Sequence, residues 1–537
     1  MDCQVFVVNN IKLNVNASLQ EAFSLSIKRL KKHGLNTENA KCSVFKRSVD
    51  ARHKNDIHFV YAIAVSIASG KFDEAALLND GISVIREAGL PKISYGNESL
   101  AANPLVVGAG PCGLFAALLL AENGYNPIII ERGSSISERK KAVENFYRTK
   151  ALDTETNIQF GAGGAGTFSD GKLVTRINDP FTSYVLKKLV EFGAPEEILY
   201  IAKPHIGTDV LSQVVDNLIA RINALGGSIF YNTKYIDTCY INGLSIARTT
   251  KMDIPYGTLI LAVGHSARDT YESLIQSSYA IEAKPFSVGM RIEHIASEID
   301  ASMYGNFAGN ENLGHAEYNL SYNTKERGVY TFCMCPGGEV VAAASEEGGL
   351  VVNGMSYHAR NGINSNSAVV CSIFKEDYGA TPTKAIDFQR KIEKAAYRSA
   401  GGNYTAPIIT VGDFLKNGLK NEPSKIIPTY MNSSSVRLTS PRDYLPSFVL
   451  EAIQNALLDF DKKIHGFAAD YAVLTGAETR TSAPIRILRD FDTRLAKGKD
   501  NIYPAGEGAG YAGGITSAAC DGVRTAIAIM NRYKALI

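Results

Sequence analysis

The stretch "PLVVGAGPCGLFAALLLAENGYNPIIIERG", residues 104–133, decides the fold. "LVV" is short, apolar and β-branched, and predicts a buried strand. Gly108, Gly110 and Gly113 then satisfy G-x-G-x-x-G at the entry to an apolar helix. The first glycine permits the tight turn, the second lets backbone approach a pyrophosphate, and the third lets helix and strand pack closely. The helix N-terminus adds unpaired N–H groups and a positive dipole end. A second strand, "PIIIE", ends in Glu131, where an acidic side chain accepts from an adenosine ribose, with Arg132 following. Three glycines alone often mark only a turn. Here strand, glycines, helix, second strand and terminal acid agree, and the acid favours FAD or NAD over NADP.

Three other stretches refine this. "FGAGGAGTFSDGKL" (160–173) can bury almost nothing, so it is either a flexible loop or bare backbone laid against a ligand. Gly163 and Gly164 would bring N–H groups close to phosphates, and Thr167 and Ser169 would add hydroxyl donors. "YGTLILAVGHSARD" (256–269) reads as a buried strand ending in Gly264. "NIYPAGEGAGYAGGITSAACDGVRTAIAIM" (501–530) gives a short strand, Gly506 and Glu507, and a helix entered through Gly513, Gly514 and Ile515.

Together these stretches resemble the glutathione-reductase-type FAD-binding fold. With "KPHIGTD", "VYTFCMCPGGEVV", "SEEGGLVVNGMSYHARNG" and "ETRTSAPIRI", the chain is similar to a family of bacterial FAD-dependent dehydrogenases from about residue 40 onward. The resemblance implies FAD as cofactor. It implies that Gly108, Gly110 and Gly113 hold the pyrophosphate and Glu131 the AMP ribose. Gly163, Gly164, Thr167 and Ser169 would lie along the phosphates and flavin, and Gly506, Glu507, Gly513, Gly514 and Ile515 would complete the site. Glu507 stands where the late Asp of this fold contacts the ribityl chain. Tyr235, in "YNTKYID", falls where such folds contact adenine through backbone; an edge strand explains it equally well.

At 537 residues, 45% hydrophobic and 20% charged, the chain is long enough for two or three globular domains. The net charge of +2 argues against a large basic or acidic surface. No run nears the ~18 apolar residues of a membrane span. Eight scattered cysteines without paired CxxC spacing argue against zinc and for a reduced, cytoplasmic protein. The expected fold class is α/β: a Rossmann FAD-binding domain in two parts (96–280 and 476–537), an inserted α+β substrate domain (281–475), and a small α+β, possibly ferredoxin-like, domain (1–95). In the last, "SLQEAFSLSIKRLKKHGL" carries a capping box from Ser18 to Glu21, and "DEAALLNDGISVIREAGL" reads as a second helix. The insert shows strands at "FSVGMRIEH", "GVYTFCMCP" and "EVVAAAS", then an Asn/Ser-rich loop.

Flavin chemistry needs no dedicated nucleophile, because the protein supplies orientation, proton transfer and electrostatics. His205, His265 and His358 are either proton donors or hydrogen-bonding loop residues. Lys172 either stabilises negative charge on reduced flavin or is solvated. Arg291 and Arg480 read as internal ion pairs rather than substrate ligands. Cys333 and Cys335 would share a strand face, but a C-x-C disulfide is strained, and both read as buried packing thiols. A second G-x-G-x-x-G unit is missing, so no dedicated NAD(P)H domain is expected. The expected partners are a small-molecule substrate and an electron donor or acceptor. "KRLKKHG" and "FKRSVDARHK" are a solvated basic face or, alternatively, a nucleic-acid adaptor for an RNA-modifying flavoprotein. A non-enzymatic flavin-bound sensor is a third reading.

Overall fold

A computed structural model describes residues 3–68, 70–85, 92–174 and 179–535. Its centre is a five-stranded parallel sheet in the order Ile502–Pro504, Leu259–Leu261, Leu105–Val107, Ile128–Ile130, Ser228–Phe230. A parallel sheet must be covered on both faces. On one side lie helices Pro111–Glu122, Thr208–Ala224 and Ile515–Arg532. The first is apolar all round and buries every residue from Cys112 to Ala121. Gly522 lets the last helix meet it: a Cβ there would lie 2.1 Å from the Cys112 carbonyl oxygen. The antiparallel strands Tyr235–Ile241, Leu244–Thr249 and Asp253–Tyr256 cover the other face.

The chain leaves this domain through Ile281–Ala283 and returns through Ile485–Ile487, which pair antiparallel. Between them lies a seven-stranded sheet in the order Ser321–Asn323, Gly328–Cys335, Asn364–Ile373, Phe286–Ile295, Val473–Glu478, Ala406–Thr410, Val436–Leu438. Strand Val473–Glu478 thus runs across the boundary expected at 475. The supposed Asn/Ser-rich loop is a second correction. Its end, Asn364–Ser367, opens a buried interior strand. Such polar residues are tolerated inside because most of their polar groups are paired, Asn366 Nδ2 excepted. Asn366 Oδ1 accepts from Arg291 Nη1 at 2.8 Å, Asn364 Nδ2 donates to Glu293 at 3.1 Å, and the Ser367 and Tyr318 hydroxyls bond at 2.9 Å.

The N-terminal unit is an antiparallel sheet in the order Lys41–Asp50, His58–Ala68, Cys3–Asn14, Ile82–Ile85, with helix Leu19–Lys32 on it. This is the split βαβ, ferredoxin-like arrangement. The capping box at Ser18 and Glu21 is present. The second helix is shorter than expected, only Glu74–Asn79. Gly81, at φ 69°, turns the chain, and Ile82–Ile85 pairs with Cys3–Asn14 as an edge strand. The end of the expected helix, residues 86–90, lies outside the described residues.

A buried ion network joins the Rossmann domain to the insert. Arg268 forks onto Glu393 at 2.7 and 2.6 Å and reaches Glu346 at 3.0 Å; Arg480 also holds Glu393, at 3.0 and 3.2 Å. Burial pushes the Glu393 carboxyl up, but the two arginines overcome it and hold it well below its ordinary value. Its contribution to stability is therefore present above the unfolded carboxylate range and is lost as pH falls toward the depressed folded value. Arg268→Met should destabilise the protein by about 3–5 kcal/mol at neutral pH, because it leaves a buried charge half paired. An unchanged urea midpoint would refute this.

Candidate FAD site

A cleft with about 1500 Å³ of open space runs along the carboxyl ends of the parallel strands to the insert's sheet. Of the three fingerprint glycines, Gly108 and Gly110 line it, and Gly113 packs behind them. Gly108, at φ 104°, passes 2.4 Å (as a Cβ) from the Ala262 carbonyl oxygen. Gly113 is a packing glycine away from the cleft wall, where a Cβ would lie 2.0 Å from the Gly108 oxygen. Gly110 faces the cleft, and its missing Cβ would meet nothing nearer than Gly164 Cα at 3.8 Å. It caps the helix, with Pro111 in the first position, so the free N–H groups open on the cleft.

Glu131 lines the same wall, but backbone already occupies much of its carboxylate. Ala109 N donates to Oε2 at 2.8 Å, and Gly133 N and Gly161 N donate to Oε1 at 2.9 and 3.0 Å. A carboxylate accepts about four hydrogen bonds, so roughly one position stays open for a ribose hydroxyl. The side chain thus ties together the fingerprint turn, the second strand and the glycine-rich stretch. Arg132 also borders the cleft, yet its donors go to Asp269 (2.9 and 2.9 Å) and Glu155 (2.8 Å), and it stacks 4.0 Å above the Phe160 ring. It builds the wall. Tyr235 is both a strand residue and a buried residue of the wall.

The glycine-rich stretch is ordered backbone rather than a loose loop. Gly163 N donates to the Ala109 carbonyl at 2.8 Å, and Gly164, at φ 65°, caps a 3-10 turn over Ala165–Phe168. Gly164, Ala165, Gly166 and Ser169 face the cleft. Gly163 and Thr167 do not, which corrects the expectation for both. They face each other behind the wall, where a Cβ on Gly163 would lie 2.0 Å from Thr167 Oγ1. The left-handed turn at Gly163 (φ 81°) directs the chain this way. Ser169 Oγ donates to the Gly166 carbonyl at 2.6 Å and accepts from Gly171 N at 3.0 Å, so its hydroxyl is engaged within the loop.

Gly264, Glu507, Gly513, Gly514 and Ile515 also line the cleft; Gly506 packs behind it against Cys112. A Cβ at Gly264, Gly513 or Gly514 would meet nothing within 4 Å. Gly506 N donates to Asp521 at 2.7 Å, and Arg489 and Arg494 hold that carboxylate. Asp521, on the closing helix, was not legible as a site residue. It fixes the turn that presents Glu507.

The insert supplies the far wall with Phe332, Cys333, Asn353, Glu478 and Arg480. Arg480 and Arg291 are internal ion pairs as expected; Arg291 binds Glu478 at 2.7 and 2.8 Å. The pairing of Gly328–Cys335 with Asn364–Ile373 breaks register between Phe332 and Cys335. That bulge re-aims a side chain. Cys335 is buried, whereas Cys333, at φ 42°, is exposed into the cleft, so the two thiols do not share a face and the packing assignment fails for Cys333. The protein packed around this cleft position raises the Cys333 thiol although it opens on the cleft, so it is protonated at neutral pH.

Of the three histidines, His265 alone borders the cleft. Burial, with Arg480 and Arg268 nearby, lowers it to about 3, so it is neutral. Its Nδ1 meets Ser266 Oγ at 2.8 Å, and Ser266 donates to Gln159 at 3.1 Å. His205 and His358 stack on one another 5.4 Å apart, outside the wall. Lys172 lies in the wall near Glu317 (3.4 Å) and Asp170 (4.0 Å), and is only partly exposed.

A Rossmann sheet, a glycine turn capped for a pyrophosphate, and bare backbone at Gly110, Gly264, Gly513 and Gly514 fit an extended dinucleotide and define an FAD-binding protein. The profile described as "FAD binding domain" matches residues 102–152, and that described as "FAD-dependent protein, C-terminal domain-like" matches 285–481. A domain of unknown function matches residues 7–66. A Clostridium beijerinckii protein described as an uncharacterized protein is 44% identical over 526 residues, spanning 97% of this chain and 98% of that one. The chain belongs to this family of FAD-dependent proteins, and FAD is its cofactor. Among solved structures, it is similar to CtdE in complex with FAD and substrate 4 (11% identity, 79% of this chain and 80% of that chain, TM-score 0.36). It is also similar to glycine oxidase from Geobacillus kaustophilus (8% identity, 80% and 92%, TM-score 0.35).

Among the described residues no helix is long and apolar enough to cross a membrane, and no His/Cys/Asp/Glu cluster could hold a metal ion.

Proposed function

We propose that this FAD-dependent oxidoreductase is a dehydrogenase. A small polar substrate would bind at the far end of the cleft, between the flavin and the insert's sheet. One observation carries the reading: Phe332, Cys333, Asn353 and Glu478 of the insert wall the same cleft as Gly108 and Gly110. Bound FAD supplies hydride or electron acceptance; the chain supplies the rest. Gly110 and the helix N-terminus would bind the pyrophosphate, and Glu131 would take a ribose hydroxyl. The insert would exclude water from the reacting end. The protonated Cys333 thiol adds a hydrogen-bond donor and neutral His265, whose Nδ1–H is spent on Ser266, leaves Nε2 as an acceptor, neither adding charge, while Glu478 and Lys172 offer a polar substrate an acceptor and a donor.

The test is anaerobic reduction of the holoprotein, followed by flavin absorbance, across alcohols, amines and hydroxy acids. One class reducing the flavin at least a hundredfold faster than the others supports a dehydrogenase. Uniformly slow reduction by all of them refutes it. Cys333 gives a separate check on the far wall. Its reaction with N-ethylmaleimide should rise about tenfold per pH unit below the thiol pKa. Bound FAD or substrate should slow it, read by mass spectrometry of the labelled peptide. Labelling indifferent to FAD and to every substrate tried would remove Cys333 from the cleft.

A further inference from the structure

Among the described residues, four carboxylates line the cleft: Glu131, Asp170, Glu478 and Glu507. Three have partners. Glu131 takes three backbone N–H groups, Asp170 takes Ser356 and Arg360, and Glu478 is held bidentately by Arg291. Among the described residues, no N–H or O–H donates to the side chain of Glu507.

The surroundings of Glu507 explain why. Its own turn is closed by glycines on both sides, and Gly508 packs within 2.6 Å (as a Cβ) of Gly264 backbone. The helix Arg268–Gln276 brings Tyr271, but that hydroxyl donates to the Gly264 carbonyl at 2.8 Å. Strand Ile485–Ile487 brings Arg486, which turns to the Gly510 carbonyl (3.4 Å) and Glu282 (3.6 Å). Asp521 of the closing helix is neutralised by Arg489 and Arg494. His265 is neutral, and Arg268 and Arg480 face it while committed to Glu393. Among the described residues, Lys284 is the cation that acts on Glu507, and its ammonium makes no ion pair with it. Glu507 is half-buried on the open cleft, so a bound cofactor would take its remaining water and leave a carboxylate with neither water nor donors, which disfavours the charged form.

We propose that Glu507 enters the FAD complex as a neutral carboxylic acid that donates a hydrogen bond to the cofactor, so that FAD uptake is linked to protonation of this side chain. The inference rests on the cleft being the FAD site. It departs from what the resemblance implies, an ionised acid accepting from the ribityl chain. Burial raises the Glu507 carboxyl to about 7 against the opposing pull of Lys284, so the proton is exchangeable near neutrality.

The experiment measures the dissociation constant of FAD for apoprotein, by quenching of flavin fluorescence, from pH 5.5 to 8.5. Wild type, Glu507→Gln and Gly110→Val are compared. Wild-type affinity should be constant at low pH and weaken toward tenfold per unit above about pH 7.5, as expected when a ligand requires the protonated form. Glu507→Gln, whose amide still donates, should match the low-pH wild-type value within about threefold and stay flat. A wild-type profile that is flat or tightens with rising pH overturns the proposal. So does a Glu507→Gln protein that loses more than tenfold at pH 6, since an acceptor would then be what FAD needs. Gly110→Val separates the two claims. If it loses FAD while the wild-type profile is flat, Glu507 alone is misread; if it binds FAD normally, the cleft is misread too.

Discussion

Replacing Arg139 with methionine is expected to lose FAD and about 3–5 kcal/mol of stability together. Arg139 lies on helix Ile136–Thr149 and is fully buried, yet among the described residues no carboxylate pairs with it. Its guanidinium instead donates to main-chain carbonyls. Nε reaches Asn157 at 2.8 Å, Nη2 reaches Ile158 at 2.7 Å, and Nη1 reaches Ala162 at 2.7 Å and Gly164 at 2.9 Å. Phe168 covers it, its ring centroid 4.7 Å away. Burial lowers this arginine to about 9, still charged at neutral pH. A glycine-rich segment cannot hold itself by side-chain packing, so these bonds fix its course. Each carbonyl left unpaired costs about 1–3 kcal/mol, with partial relief by relaxation. Arg139→Lys should fall between: it keeps a cation but has no planar fork to span several carbonyls. Flavin content on purification and urea unfolding read both effects. An Arg139→Met protein with full flavin and a wild-type midpoint would show that the stretch holds its shape without the arginine.

Arg139 also marks the limit of what the sequence reveals. The fingerprint was legible because its logic is local: strand, turn, helix and acid lie within thirty residues, and each glycine has its own steric reason. Arg139 stands in "SERKKAVENF", where charge at helical spacing reads as a solvated face. Its partners lie 18 to 25 residues away on a chain of bare carbonyls, which no side-chain chemistry announces. Thr167 failed for the opposite reason. Its hydroxyl looked like a donor for a ligand, but positive φ at Gly163 and Gly164 carries it behind the wall. Cys333 was misread because the register break that exposes it is a pairing event between distant strands. Asn364–Ser367 looked like a loop because the residues that pair with their polar groups, Arg291, Glu293 and Tyr318, belong to other segments.

Valine at Gly110, Gly113 and Gly164 should separate cofactor contact from fold. Gly110 has φ −80° and ψ −179°, backbone that any residue adopts, and its Cβ would stand 3.8 Å from the nearest heavy atom. The protein therefore accepts the side chain, and only a molecule pressed against that backbone cannot. Gly110→Val should weaken FAD at least a hundredfold, roughly 2.7 kcal/mol, with little change in the urea midpoint of the apoprotein. Gly113→Val should do the reverse. Its Cβ would fall 2.0 Å from the Gly108 oxygen, so helix and turn must part, and stability falls before any ligand is considered. Gly164→Val should lose both, since it combines φ 65° with a Cβ 3.0 Å from Gly110 Cα. Apoprotein unfolding and FAD titration on the same three variants test the ordering. If Gly110→Val binds FAD as wild type does, the pyrophosphate does not lie on this turn, and the roles assigned to Glu131 and to the glycine-rich wall fall with it.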